Sequence, residues 1–219
     1  MVFRLHKKYK NKSIVTCGGN CAACRHGMMY ERKDFVGVTK ILSHFDDLTG
    51  VALDGGAHVG VWSLNLLQWY RKRNITPRII AIEPSKRSYD ALWENVSAIP
   101  LEIIKKALWT KSNINIYMDY KHELGPAQDF ISLEDGREEV QTITLDDIYE
   151  ITGPVDFLKL DLEGAEFDAL QGAKQLLSDN AVKLLVVEFQ TDRFKKNQIS
   201  PWSIVKYLKK FNYVLFFVI

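Results

Sequence analysis

The chain has 219 residues, 47% hydrophobic and 26% charged, which suffices for one sizeable core in a single domain. Its 29 Lys and Arg nearly balance its 27 Asp and Glu, for a net charge of +2, so no global field argues for a nucleic-acid partner. There is no run of about 18 apolar residues to span a membrane, and no apolar leader ending in a small-residue cleavage site, so a soluble cytoplasmic protein is expected.

Arg4, Lys7, Lys8, Lys10 and Lys12 crowd the first dozen residues. They read as a solvated tail, with a phosphate- or membrane-seeking arm as the other reading. Cys17, Cys21 and Cys24 come next, an odd number that suits a reducing compartment better than a secreted disulfide framework. Residues 33–48 have a helical pattern. From there short β-branched runs alternate with segments of helical period. The strands are expected over Val51–Asp54, Arg78–Glu83, Leu101–Leu108, Val155–Asp161, Lys183–Phe189 and Tyr213–Val218. The helices are expected over Val61–Arg73, Lys86–Ser97, Glu163–Leu177 and Pro201–Phe211, the last with Ser200 as N-cap and Pro201 at its first position. Two alternating stretches, Asn113–Met118 and Val140–Leu145, flank a polar loop with Gly125, Pro126 and Gly136, and predict a hairpin or sheet extension. The whole predicts an α/β fold with a doubly wound, mostly parallel sheet over residues 33–219, preceded by an appendage over residues 1–32.

The run Val51-Ala-Leu-Asp54-Gly55-Gly56-Ala57-His58-Val59-Gly60 carries a strand through a glycine turn into a helix. Such a turn lets a ligand approach bare backbone at the carboxyl end of a sheet. The dinucleotide fingerprint G-x-G-x-x-G is not met, because Gly55 and Gly56 are adjacent. Asp54, Gly56 and Gly60 instead match acidic-x-Gly-x-x-x-Gly, the form of methyltransferase turns. A carboxylate is favourable there beside an ammonium and a sulfonium, where it would repel a pyrophosphate. Glu83, 23 residues beyond Gly60, ends the next strand at about the distance of a ribose-binding acid.

With these residues goes an ordered series: Ile82-Glu83-Pro84, Lys106-Ala107-Leu108, Thr144-Leu145-Asp146 and Leu158-Lys-Leu-Asp-Leu-Glu-Gly-Ala-Glu166. From about Asp34 to Gln190 the chain resembles the FkbM methyltransferases. It departs from them in having His58 where Asn is usual and Gly55 where an aliphatic residue is usual. The resemblance implies a class I, Rossmann-like, S-adenosylmethionine-dependent enzyme that methylates a hydroxyl on a small molecule or sugar. It implies cofactor binding by Asp54, Gly55, Gly56, Ala57, His58, Gly60, Glu83, Pro84, Ser85, Ala107, Leu108 and Asp161. His58 reads as a polar cap or backbone contact rather than a base.

Asp161, Glu163 and Glu188 close two neighbouring strands and are the catalytic candidates, as proton acceptors or as ligands of a divalent cation; hydrogen bonding to cofactor and substrate is the favoured role. Glu163 and Glu166 also read as first-turn acids complementing a helix dipole. Lys159 faces either the cleft or a helix. A lysine with Asp and Glu also occurs in ribose 2′-O-methyltransferases, so an RNA substrate is the second reading, and a non-catalytic adenosylmethionine-binding module the third. Cys17, Cys21 and Cys24 have CxxxCxxC spacing, with His26 nearby, as in the cluster loop of radical S-adenosylmethionine enzymes. Unliganded thiols, a structural zinc and an iron–sulfur cluster all fit the spacing, and the expectation is no metal. After Val214–Ile219 no strand remains to finish the sheet, which predicts a shortened or rearranged edge, or one covered by another subunit.

Overall fold

Four runs of aliphatic residues, Val51–Gly55, Arg78–Ile82, Val155–Leu160 and Val182–Val187, form the centre of the sheet and are buried almost throughout. Strands covered on both faces have no polar face to show, which is why these segments read as continuous apolar runs. The structure is a computed structural model that describes residues 2–5, 12–15, 39, 42, 43, 45, 47–120, 129–132, 136–188 and 200–213. In chain order the strands are β1 (Val2–Leu5), β2 (Lys12–Val15), β3 (Val51–Gly55), β4 (Arg78–Ile82), β5 (Glu102–Ile104), β6 (Ala107–Leu108), β7 (Asn115–Tyr120), β8 (Asp129–Ser132), β9 (Glu138–Ile143), β10 (Val155–Leu160) and β11 (Val182–Val187). The helices are α1 (Val61–Arg71), α2 (Lys86–Val96), α3 (Leu145–Thr152), α4 (Glu166–Gln171), α5 (Lys174–Ser178) and α6 (Pro201–Lys209).

The main sheet has seven strands in the order β1-β2-β11-β10-β3-β4-β5, parallel except for β1. Alternation along each strand sorts side chains to two faces. Leu53, Ile80, Leu158, Leu160 and Leu185 pack with Leu170, Leu176 and Leu177 of α4 and α5 and with Ile204 and Leu208 of α6. Their neighbours Ala52, Ile79, Phe157, Leu184 and Val186 pack on the other face with Trp62, Leu66, Trp69 and Tyr70 of α1. This is the doubly wound α/β fold that the alternating pattern predicts.

Several elements differ from the expectation. The edge beside β11 is filled by β2, which pairs with it in parallel, with β1 antiparallel outside. Residues read as a basic tail thus extend the main sheet. The expected strand Tyr213–Val218 lies outside the described residues beyond a buried Tyr213. Leu101–Leu108 divides into β5, on the main sheet, and β6, which joins a second sheet of order β6-β9-β7-β8. The pairing of β7 with β9 is the predicted extension, and β8 lies at its edge.

The helix expected over Glu163–Leu177 is two helices. Asp146 causes the break: its carboxylate accepts from Gln175 N at 3.1 Å and Leu176 N at 2.9 Å, satisfying two free N–H groups of α5. Gly172 sits at the joint, where a Cβ would lie 2.1 Å from the Trp109 carbonyl oxygen. Helix α3 was not expected; Thr144 caps it by accepting from Asp147 N at 3.0 Å. Ser200 and Pro201 open α6 as predicted. Among the described residues no helix is long and apolar enough to cross a membrane.

Candidate active site

The register of the sheet sets the geometry of its carboxyl edge. Val187, Leu160, Gly55, Ile82 and Ile104 pair side by side across β11, β10, β3, β4 and β5. One residue further along, Glu188, Asp161, Gly56 and Glu83 stand together as the rim. The same row of strand ends therefore carries three of the predicted acids and the glycine turn.

The turn leaves the sheet through backbone that glycine permits. Gly56 has φ 72°, and a Cβ there would lie 1.8 Å from the Asp161 carbonyl oxygen. Gly56 N and Ala57 N both donate to Ile82 O, at 2.9 and 3.0 Å, and Asp161 N donates to Gly55 O at 3.2 Å. The turn is thereby tied to both neighbouring strands. Gly60, at φ 90°, packs against Leu92 and starts α1. Six described non-glycine residues have positive φ, of which four are Asn, a residue that tolerates this conformation. The other two are His58 and Glu163, both in rim loops.

Glu83 is buried. Its Oε2 accepts from His58 N at 2.8 Å and its Oε1 from Ser85 N at 2.9 Å. The carboxylate so links the glycine turn to the start of α2, and Pro84 lies between the two contacts. The contact from His58 is made by its main-chain N–H. Ala107 and Leu108 are buried in β6, and a Cβ on Gly55 would meet Leu108 Cδ1 at 2.8 Å.

Asp54 does not open to solvent. It is 1% exposed, its Oδ2 accepts from Ser63 Oγ at 2.7 Å, and its Oδ1 accepts from Lys159 Nζ at 3.1 Å. Lys159 is 4% exposed and also donates to Gly56 O at 2.9 Å. The same ammonium lies 3.6 Å from Asp161 Oδ2 and 5.7 Å from the centre of the Trp62 ring.

Asp161 keeps 32% of its side chain open. Burial pushes its carboxyl up, but the Lys159 ammonium, a hydrogen bond with Glu188 and the His58 ring together hold it below the usual aspartate value. Asp161 and Glu188 are thus in contact, as predicted for residues closing adjacent strands. Glu163 stands half-buried two residues on. Glu166 does more than complement a helix dipole. It is fully buried, and its Oε1 accepts from Leu162 N at 2.8 Å and Gly164 N at 3.2 Å, bracing the loop that carries Asp161 and Glu163. Burial lifts its carboxyl to about 7, the nearby Asp161 adds to the rise, and the N–H groups of Leu162, Glu166 itself and Gly164 oppose it.

Sequence reasoning missed Ser63, the bracing role of Glu166 and the pairing of Lys159 with Asp54. Glu166 lies in the quoted Asp-Leu-Glu-Gly-Ala-Glu run and carried that signal; Ser63, inside an amphipathic helix, carried none. Cys17, Cys21, Cys24 and His26 lie outside the described residues. Among the described residues no group of three His, Cys, Asp or Glu is placed to hold a metal ion.

These features define an open α/β domain whose glycine turn and carboxylates stand together at the carboxyl ends of its strands, the edge at which such folds bind ligands. The profile of the methyltransferase FkbM domain matches residues 54–215, and the chain belongs to that family. Among solved structures it is similar to the crystal structure of Methyltransferase FkbM from Methylobacillus flagellatus KT, at 21% identity and a TM-score of 0.45, over 65% of this chain and 33% of that one. The chain spans about a third of that protein's length. The curated proteins compared contain no match.

Proposed function

We propose that the domain transfers a methyl group from S-adenosylmethionine to a hydroxyl oxygen of a small molecule or sugar. The observation that carries this reading is the registered rim: Glu83, Asp161 and Glu188 one residue beyond aligned strand ends, beside the backbone of Gly56 and Ala57. The donor chemistry suits a cation. The rim's carboxylates accept from ribose hydroxyls and from an ammonium, and its buried cation, Lys159, is matched by Asp54. Glu83 serves the ribose, and the backbone of Gly55, Gly56, Ala57, His58 and Gly60, with Pro84, Ser85, Ala107 and Leu108, shapes the remainder of the pocket.

S-adenosylmethionine, when bound, supplies an electrophilic methyl group, whose bonding pair stays with sulfur as the acceptor oxygen forms the new C–O bond. The protein orients that oxygen and receives its proton. Asp161 is the acceptor of the proton: Lys159 and Glu188 keep it ionised, and a third of its side chain remains open. Glu163 and Glu188 hold the acceptor. Lys159 is buried with its ammonium facing Asp54 and Asp161, and holds both carboxylates in place. The odd number of cysteines supports the cytoplasm as the compartment.

Calorimetric titration with S-adenosylhomocysteine tests the reading. Saturable one-site binding is expected, weakened about tenfold or more by Glu83→Gln, the effect of removing one charged hydrogen bond. No uptake by folded wild-type protein would sink it. Binding without turnover across sugar, polyol and RNA panels would leave a binding module instead.

A further inference from the structure

Asp54 is the residue that the methyltransferase turn assigns to the cofactor's ammonium, yet its surroundings give it another task. It pairs in register with Lys159 across β3 and β10, so the two side chains leave the sheet on the same face. On that face they meet Ser63 and the Trp62 ring of α1. Both are almost wholly buried, at 1% and 4% exposure. One ammonium thus serves Asp54 Oδ1 at 3.1 Å and the Gly56 carbonyl at 2.9 Å, with Asp161 Oδ2 at 3.6 Å. It is bound at once to the start of the turn, to its apex and to the loop that follows β10.

We infer that Asp54 and Lys159 form a closed, buried ion pair that positions the glycine turn and Asp161, and that Asp54 acts on the cofactor through this pair rather than by touching it. For its functional half the inference rests on the adenosylmethionine reading; for its structural half it does not. A carboxylate already holding a buried ammonium has little left to offer a second cation. Lys159 in turn fixes the Gly56 carbonyl from the β10 side, while Ile82 O fixes the Gly56 and Ala57 N–H groups from the β4 side. The pair is a positioning device. Its loss loosens backbone that the cofactor would lie against.

A double-mutant cycle on the full chain separates the alternatives: Asp54→Asn, Lys159→Met and the two together, each followed by denaturant unfolding and by S-adenosylhomocysteine titration. Each single change leaves a buried group without its partner, whereas the double change removes both charges. The double variant is expected to unfold at a higher denaturant concentration than Lys159→Met alone, and Lys159→Met is expected to weaken S-adenosylhomocysteine binding as much as Asp54→Asn does, about tenfold or more, with the double variant no weaker than either. Where Lys159→Met does not fold at all, the recovery of a folded double variant reads the same coupling. Asp161 supplies a readout that a purely structural pair would not move. It is surrounded by Lys159, His58, Glu188 and Glu166. With Lys159 gone, the acid limb of S-adenosylhomocysteine binding is expected at higher pH.

Additive losses of stability across the cycle would overturn the pair. A folded Lys159→Met variant that binds as wild type does, while Asp54→Asn binds weakly, would overturn the positioning role and return Asp54 to the cofactor. If wild-type protein takes up no S-adenosylhomocysteine, the adenosylmethionine reading fails, and the unfolding arm still decides the pair.

Discussion

Substituting Gly56 by Ala tests the turn most directly, because two separable costs meet there. The backbone has φ 72°, which for a residue with a Cβ costs about 1–2 kcal/mol. The added Cβ would also sit 1.8 Å from the Asp161 carbonyl oxygen, a backbone atom with no rotamer to escape through. Overpacking of this kind costs about 1–3 kcal/mol or more. Together they give a loss of about 2–5 kcal/mol, against a whole-domain stability of about 5–15 kcal/mol. Two other glycines isolate the parts. Gly172 has φ −87° but faces the Trp109 carbonyl oxygen at 2.1 Å, so Gly172→Ala carries the clash alone. Gly153 has φ 72° and ψ −159°, a region nearly confined to glycine, with nothing within 4 Å of an added Cβ, so Gly153→Ala carries a backbone cost without a clash. Equilibrium urea unfolding of the three variants measures each loss, provided the slope m stays at its wild-type value. Of the three, Gly56→Ala alone should also weaken S-adenosylhomocysteine binding, because the clash displaces Asp161. A Gly56→Ala loss below about 1 kcal/mol would refute the tight contact between the turn and the end of β10.

Asp146→Ala removes the carboxylate that caps α5 and should cost about 1–2 kcal/mol, with faster amide exchange at Gln175 and Leu176 than elsewhere in the sheet-facing helices. Unchanged exchange there would show that α5 does not depend on this cap. Glu166 predicts a pH dependence whose sign is unusual for a carboxyl. Its folded value, about 7, lies above the ordinary 4.5, so its contribution is fully present below pH 4.5 and is lost as pH rises toward 7. At about 1.4 kcal/mol per pH unit, the loss between pH 5.5 and 8 is about 2 kcal/mol. Glu166→Gln should remove that slope while keeping an acceptor for Leu162 N and Gly164 N; an identical slope in both proteins would show that Glu166 is not the group responsible.

The centre of the sheet and the rim were legible for a physical reason. Strands buried on both faces read as continuous apolar runs, and the residue ending each run stands at the carboxyl edge wherever the strands run parallel. Asp161, Glu188 and Glu83 were therefore readable as neighbours before any pairing was known. The features that escaped depend on tertiary contacts that no local pattern carries. The apolar period through Phe167, Leu170, Leu176 and Leu177 continues across Gly172, and only the Asp146 carboxylate, reaching over from α3, divides it into two helices. Thr144 and the two acids after it form a local capping signal, and α3 could have been found from them. For β2 the segment is four residues in a basic stretch, too short for periodicity to speak, and its strand character comes from the open edge of β11.

Lys159 shows the same limit in its functional form. Its partner Asp161 is near in sequence, but its closest carboxylate is Asp54, 105 positions away and adjacent only because β10 lies beside β3. Once they are paired, the charge of the site can be counted. The Asp54 carboxylate and the Lys159 ammonium cancel, and Glu166 is largely neutral below pH 7. Asp161, held ionised, is negative at the open edge, and the carboxyl groups of Glu83 and Glu188 stand on the same rim. A pyrophosphate brought to this turn would meet that charge and find the nearest ammonium already engaged, whereas a sulfonium carrying an ammonium would be attracted by it. The glycine turn supplies bare backbone to either kind of ligand. With Lys159 engaged by Asp54 beneath it, the charge left at the turn favours a cationic ligand.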